Sequence, residues 1–260
     1  DVIGVDLRAA PTVAVQADCG DVAQWGPALG AVDAIVHVAA LHAPHIGTRS
    51  DAEFQRTNVE ATARLLDHAH RIGARHFVLT STTSLYGYAL ASPTEAVWVD
   101  ERLEPEPRDI YDVTKLEAER MTAAAGSPLT TTILRMSRCF PEPAAKMTAY
   151  RLYRGVDRRD VAEAHALAVE SAAGPSRTFI VSTTSPFRRG DCADLLHDAP
   201  SVLARRSPGL IERMVARGLS PPLSIDRVYD AGMAARELGF RARFGIEACL
   251  AGDWDPAPSD

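Results

Sequence analysis

A phenol and an ammonium stand four residues apart in the segment IYDVTK, as Tyr111 and Lys115. On a helix that spacing puts both side chains on one face. A tyrosine hydroxyl titrates near ~10 and is a poor base at neutral pH, but a nearby lysine cation favours the tyrosinate. Such a pair can take the proton from a substrate hydroxyl while hydride leaves the same carbon, which is general-base catalysis of an alcohol oxidation. A third group, Thr82, comes from FVLTSTTSLYG (77–87), where an apolar run ends in consecutive hydroxyl residues. Thr82 is expected at the carboxyl end of a strand, where catalytic groups sit in open α/β sheets, and would hold the substrate oxygen. A Tyr-x-x-x-Lys pair by itself also fits an exposed helix with a solvated lysine. Here Pro105 and Pro107 precede the motif and LEAERM continues it as a helix, so the context favours chemistry.

Positioning these groups needs alternating strands and helices. VIGVDL (2–7) and VAVQAD (13–18) read as strands, Asp21 to Leu29 as a short helix with an acidic cap, and AIVHVAA (34–40) as a further strand. His42 to Asp51 reads as a loop, and Phe54 to His70 as a helix stopped by Gly73. HFVLTST (76–82) is a strand, Tyr88 to Pro107 a long loop, 109–125 a helix and TTILRM (from 131) a strand. Helices are expected over 159–170, 210–218 and 228–239, with a strand over 177–183, and AGDWDPAPSD reads as a loose tail. Strands that are apolar throughout are covered on both faces, so the fold class is α/β, a Rossmann-type parallel sheet with a small C-terminal substrate lobe. Residues 1–140 form the expected cofactor-binding domain and 141–260 mainly the substrate lobe, some of whose segments return to the sheet.

The chain has 260 residues, a net charge of −6, 46% hydrophobic and 24% charged residues. That is an ordinary globular composition, and its acidic balance disfavours a nucleic-acid partner. No apolar run approaches the length of a membrane span, and the first residues lack the basic region of a signal peptide. Cys19, Cys139, Cys192 and Cys249 have no zinc-type spacing and a chain of this size needs no disulfide, so a reducing cytoplasm is expected. Cys139 lacks a base partner and is not a nucleophile. His37, His42 and His45 invite a metal, but His37 falls inside an apolar strand and the other two lack a Glu or Cys with ligand spacing, so no metal is expected.

VDLR (5–8), ADCGD (17–21), DAIVHVAA (33–40), TNVEATARLL (57–66), LTSTTSLYG (79–87), YDVTK (111–115) and LRMSRCFPEP (134–143) together resemble the extended short-chain dehydrogenases of the NAD-dependent epimerase/dehydratase family. The likeness covers nearly the whole chain, and the segment from LRMSRCFPEP to RRDVAEAH looks most like the uronate dehydrogenases. The resemblance implies NAD. Asp6 would accept hydrogen bonds from ribose hydroxyls and repel a 2′-phosphate, Asp18 and Cys19 would meet the adenine, and Ala39 and Ala40 would let the cofactor approach the backbone. Thr80, Tyr111 and Lys115 complete the implied cofactor contacts, and Asn58 orders the active-site backbone beside the lysine. From residues alone, Asp18 is a turn residue and Cys19 a core residue, core packing is an equal reading of the two alanines, and Asn58, inside an otherwise apolar helix, is a buried amide that needs partners, with an exposed helix position the lesser alternative. The family's opening strand and glycine-rich loop are expected to be absent here, since residue 1 resembles the start of the second strand.

For the substrate, the resemblance places His42, Thr82, Thr83, Arg138 and Lys146 around the pocket. The uronate enzymes have Ser where Arg138 stands and an Arg near Lys146 that holds the carboxylate. Lys146 keeps that charge without the bidentate fork, which Arg138 either supplies or, as a solvated loop residue, does not. Arg135 and Asp160 are only 25 residues apart, which speaks against a bulky nucleotide tail and for a small, acidic substrate. The first expectation is therefore an NAD-dependent oxidoreductase acting on a sugar-like or uronate-like molecule. The alternatives are a nucleotide-sugar epimerase or dehydratase and a non-catalytic NAD-binding regulator. Dehydration would want an Asp-Glu pair directly after Thr82, where Thr83 and Ser84 stand. A homodimer is expected through the helices at 54–70 and 109–125, which carry apolar residues on more than one side.

Overall fold

A computed structural model describes residues 1–171 and 175–253; most of the expected loose tail, 254–260, lies outside the described residues. In chain order the strands are β1 (Gly4–Asp6), β2 (Val13–Gln16), β3 (Ala34–His37), β4 (His76–Thr82), β5 (Val97–Val99), β6 (Thr130–Met136), β7 (Arg177–Val181) and β8 (Arg227–Tyr229). The helices are α1 (Val22–Leu29), α2 (Asp51–Phe54), α3 (Ala61–Ile72), α4 (Ile110–Ala123), α5 (Ala144–Tyr150), α6 (Arg158–Glu170), α7 (Cys192–His197), α8 (Ala199–Arg206), α9 (Leu210–Ala216) and α10 (Ile246–Ala251). β3, β4, β6 and β7 form one sheet in the order β3-β4-β6-β7, β1 pairs with β2, and β5 with β8. β1–β2, β3–β4 and β5–β8 are parallel. The architecture is an α/β Rossmann-like fold with parallel sheets and a C-terminal extension.

The chain divides into two compact units, each built from three stretches. The first comprises Asp1–Ser81, Pro107–Ile133 and Ala168–Thr178, and the second Thr82–Glu106, Leu134–Leu167 and Phe179–Asp260. In the first, β4 is buried along almost its full length, as its run of apolar and hydroxyl residues requires. Phe77 and Leu79 pack with Trp25, Leu65, Leu66, Ala69, Ala118 and Ile133 in one core. Gly20 permits the close approach of the β2–α1 turn to α3, since a Cβ there would meet the Ala61 methyl at 3.0 Å. The second unit has its own core, with Leu152, Phe187, Leu195, Val202, Leu203, Met214, Ile225 and Val228.

Local signals set the helix that carries the phenol. Asp109 caps α4, its carboxylate accepting from the Asp112 N–H at 3.0 Å. Upstream, Ser50 and Glu53 make a reciprocal capping box at α2. The helix then passes through a π-turn at Gln55–Glu60 before continuing as α3 to the left-handed cap Gly73, at φ +71°.

Several expectations are corrected. The absence of the family's first strand and its glycine-rich loop is not confirmed; Gly4–Asp6 forms β1, in parallel register with β2 and within the strand expected over 2–7. That strand is shorter and less buried than expected, with Gly4 and Val5 half-buried and Asp6 exposed, because it belongs to a sheet of two strands only. The loop 88–107 contains a 3₁₀ turn and β5, and the helix expected over 228–239 is β8 followed by a π-turn at Ala234–Leu238. β5 and β8 supply each other's hydrogen bonds, a pairing that neither segment's periodicity announces. Asp21 stands at the start of α1 but makes no side-chain cap.

Candidate functional site

The buried stripe of α4 is polar. Tyr111, Asp112, Thr114, Lys115, Glu119 and Thr122 are all buried, with Ala118 the apolar member. Lys115 is 2% exposed and its Nζ donates to the Thr80 carbonyl of β4 at 2.8 Å. Burial pulls its pKa down to about 8, against the opposing charge of Glu119 one turn on. Thr82 lies two residues further along the strand that Lys115 grips. Its hydroxyl accepts from the Ser84 N–H at 3.0 Å and opens a 3₁₀ turn that holds Thr83 buried.

Asn58 sits in the π-turn, a helix distortion that recurs at functional sites. It is 1% exposed and its amide is satisfied by the Leu41 backbone and the Thr114 hydroxyl. Oδ1 accepts from the Leu41 N–H at 2.8 Å, while Nδ2 donates to the Leu41 carbonyl at 3.0 Å and to Thr114 Oγ1 at 3.1 Å. Thr114 in turn donates within the first turn of α4, to Ile110 and Tyr111 carbonyls. Asn58 therefore ties the segment after β3 to the turn that carries Tyr111. His37 extends the chain of bonds. The Thr62 hydroxyl donates to the Asn58 carbonyl at 2.7 Å, so Thr62 must accept from His37 Nε2 at 3.1 Å, which fixes the neutral tautomer. Burial, then Lys115, hold His37 at a pKa of about 3.

The Leu41 tie aims the next residue. The His42 ring lies 5.9 Å from the Tyr111 ring and 6.1 Å from that of His45, whose Nδ1 accepts from the His42 N–H. Burial, then the charges of Lys115 and His45, lower the His42 pKa. The His42 imidazole thus favours its neutral form beside the phenol.

A second group of residues gathers after β1 and β2. Asp6 and Asp18 are exposed and each accepts a local backbone N–H, from Arg8 and Gly20 respectively, both at 2.8 Å. Burial, then Asp18, with Asp6 adding, push the nearby Cys19 thiol up to about 11, so it stays protonated. After β3, Ala39 is exposed and Ala40 half-buried. Asp6, Asp18, Cys19, Ala39, Ala40, Asn58, Thr80, Tyr111 and Lys115 all belong to the first unit.

Arg138 and Lys146 belong to the second. Both are paired with Glu142: Lys146 Nζ at 3.0 Å, and Arg138 Nε at 2.6 Å with a further guanidinium contact. Sequence reasoning missed Glu142, Thr62 and Thr114. Glu142 had a visible signal, standing four residues from each cation. The Cys139 thiol is raised chiefly by burial, which favours the protonated thiol over the nucleophilic thiolate.

Residues 1–148 match the model of the NAD dependent epimerase/dehydratase family. The chain is similar to UDP-glucuronic acid decarboxylase 4 of Arabidopsis thaliana, 38% identical over 98 residues, which are 37% of this chain and 21% of that protein. The match thus spans about a fifth of that relative. Among solved structures it resembles MoeE5 in complex with UDP-glucose and NAD, with TM-score 0.68 and 23% identity over 96% of this chain and 88% of the other. It also resembles a short-chain dehydrogenase/reductase superfamily protein from Agrobacterium tumefaciens with bound NAD, with TM-score 0.67 and 20% identity over 96% and 87%. At these identities the likeness is one of fold.

Proposed function

Since the chain belongs to the NAD dependent epimerase/dehydratase family, we propose that it binds NAD and oxidises a hydroxyl of a nucleotide-linked sugar or uronate, with the hydride returned to the sugar in the same cycle. The observation that carries this is the buried Lys115 ammonium, gripped by Thr80 one turn beyond Tyr111 on a helix whose interior stripe is polar. A cation with so little solvent stabilises an anion on the same face, and the phenolate is the anion this chemistry uses.

The first unit suits the cofactor. Asp6 offers an exposed carboxylate to a ribose diol, Asp18 and Cys19 adjoin it, and the small Ala39 and Ala40 follow β3 without side-chain bulk. Bound NAD would supply the hydride acceptor. Tyr111 Oη takes the proton of the substrate hydroxyl as its carbon loses hydride, so a carbonyl forms. Thr82 holds that oxygen, and His42 a neighbouring one. Lys115 would favour the phenolate form of Tyr111 and would help hold a ribose hydroxyl of the cofactor, while Asn58 fixes the backbone on both sides. Residues 1–140 then serve mainly the cofactor and 141–260 mainly the substrate.

Similarity to a UDP-glucuronic acid decarboxylase and to a fold seen with UDP-glucose supports a nucleotide-linked substrate. The short stretch between Arg135 and Asp160 favours a second reading, net oxidation of a free hexuronate. Product analysis separates them. Incubation with NAD and either UDP-sugars or free uronates should convert the nucleotide sugar without accumulating NADH, whereas stoichiometric NADH from the free acid establishes the second reading. Dehydration is disfavoured by Thr83 and Ser84 after Thr82. The proposal extends to a cytoplasmic homodimer pairing through the helices at 54–70 and 109–125. The four unpaired cysteine thiols fit a reducing compartment, and among the described residues no helix is long and apolar enough to cross a membrane.

A further inference from the structure

Within the second unit, the segments that follow β7 and β8 enclose a pocket of about 370 Å³, which is the size of a small-molecule site. None of the residues assigned to hydride transfer lines it. Its apolar wall is aromatic, with Phe187, Tyr229 and Phe240 buried and Trp98 half-buried. Trp98 is held in place, its Nε1–H donating to Asp230 Oδ2 at 3.3 Å, while Asp230 Oδ1 accepts from the Gly232 N–H at 2.8 Å. Folding that carboxylate back requires glycine at 232, since a Cβ there would meet Asp230 Oδ1 at 2.8 Å. Both oxygens of Asp230 are therefore engaged by the protein itself.

Two further features of the pocket are unspent. Ser182 and Thr183 line it at 0% and 1% exposure, and neither Ser182 Oγ nor Thr183 Oγ1 has a hydrogen-bond partner among the described residues. Buried hydroxyls are ordinarily paired, so two orphans in one pocket wall mark a place where a polar ligand completes the bonding. Arg188, Arg189 and Arg241 line the same pocket and are exposed. Arg189 is held by Asp100 at 2.7 Å, whereas Arg188 and Arg241 form no ion pair among the described residues.

We propose that this pocket is a binding site for a planar aromatic ring that carries one anionic group, a carboxylate or a phosphate. The aromatic wall takes the ring through edge and stacking contacts. Arg188 and Arg241 make charge-assisted bonds to the anion, for which a guanidinium fork is suited. Ser182 and Thr183 offer hydroxyls to the remaining ligand oxygens. A bare inorganic anion leaves the aromatic wall unused, and a neutral ring leaves the two cations unused, so each half binds more weakly than the whole.

Calorimetric titration of the protein, with NAD present, against phenyl phosphate, 4-hydroxybenzoate, benzyl alcohol and inorganic phosphate tests this. At least one of the two ring anions should bind, the tighter of them distinguishing phosphate from carboxylate. Benzyl alcohol and inorganic phosphate should each bind at least about tenfold more weakly. The tighter ring anion should change the tryptophan fluorescence of the wild type but not that of Trp98→Phe. Arg188→Ala combined with Arg241→Ala alters exposed side chains only and should weaken the ring anion about tenfold or more. Four results would overturn the proposal: no binding by either ring anion, an equal affinity for inorganic phosphate or benzyl alcohol, a fluorescence change retained in Trp98→Phe, or an unchanged affinity in the double arginine variant. None of them bears on the role of Tyr111.

Discussion

Lys115 couples stability and activity through one titration. Its folded pKa of about 8 lies below the ordinary lysine value, so between about 8 and ~10.4 the unfolded chain holds the proton that the folded chain has lost. Stability therefore rises with pH across that window as far as this group is concerned, and the full cost of burying the charge is present below it. Urea unfolding of the wild type and Lys115→Met from pH 7 to 10 should show the wild type gaining on the variant as pH rises; parallel curves would mean the lysine is not desolvated. Activity moves the opposite way, because the phenolate loses its cation. The wild-type rate should fall above about pH 8, and the Lys115→Met rate should be low throughout and lack that limb. At this scale Tyr111 and Lys115 were legible because a spacing of four has one meaning on a helix. Glu142 was equally spaced from Arg138 and Lys146 but went unread, because the flanking prolines suggested a solvated loop and hid a fixed carboxylate.

Elements are held by backbone groups that side chains satisfy. Asn58 serves both the N–H and the carbonyl of half-buried Leu41 and also buried Thr114, and is itself buried. Asn58→Ala should cost about 1–3 kcal/mol in urea unfolding, since it removes the partner of two half-buried backbone groups and of the buried Thr114 hydroxyl. Asp160 plays the same part in the second unit, its carboxylate accepting from the Arg243 and Phe244 N–H groups at 2.8 and 3.0 Å. Asp160→Ala should lower stability by about 2–4 kcal/mol, and a change within about 0.5 kcal/mol would show those groups to be solvated. Most helices and long strands were readable, because apolar periodicity and caps such as Gly73 mark them. α4 was found by its motif rather than its pattern, for its buried stripe is Tyr, Thr, Lys, Glu and Thr. β5 and β8 are three residues each, too short for alternation to register, and exist through mutual pairing at long sequence separation.

For the whole molecule, alternation of strands and helices made the parallel α/β class legible. The assembly of each unit from three separate stretches was not, because it depends on contacts between residues far apart in the chain. The proposed dimer places the outer side of α4 at an interface, where Val113 is 44% exposed. Light scattering should give twice the chain mass at micromolar concentration and a single chain mass for Val113→Arg; a monomeric wild type would remove the dimer. The central claim, hydride transfer driven by Tyr111, has a direct measurement. NAD-loaded protein is mixed rapidly with UDP-glucose or UDP-glucuronic acid while the absorbance of reduced nicotinamide is followed. The wild type should show a transient rise that decays as hydride returns to the sugar. Tyr111→Phe should lose the rise by about a thousandfold in rate while binding NAD within about threefold of wild type. An undiminished transient in Tyr111→Phe would contradict the assignment of Tyr111 as the base.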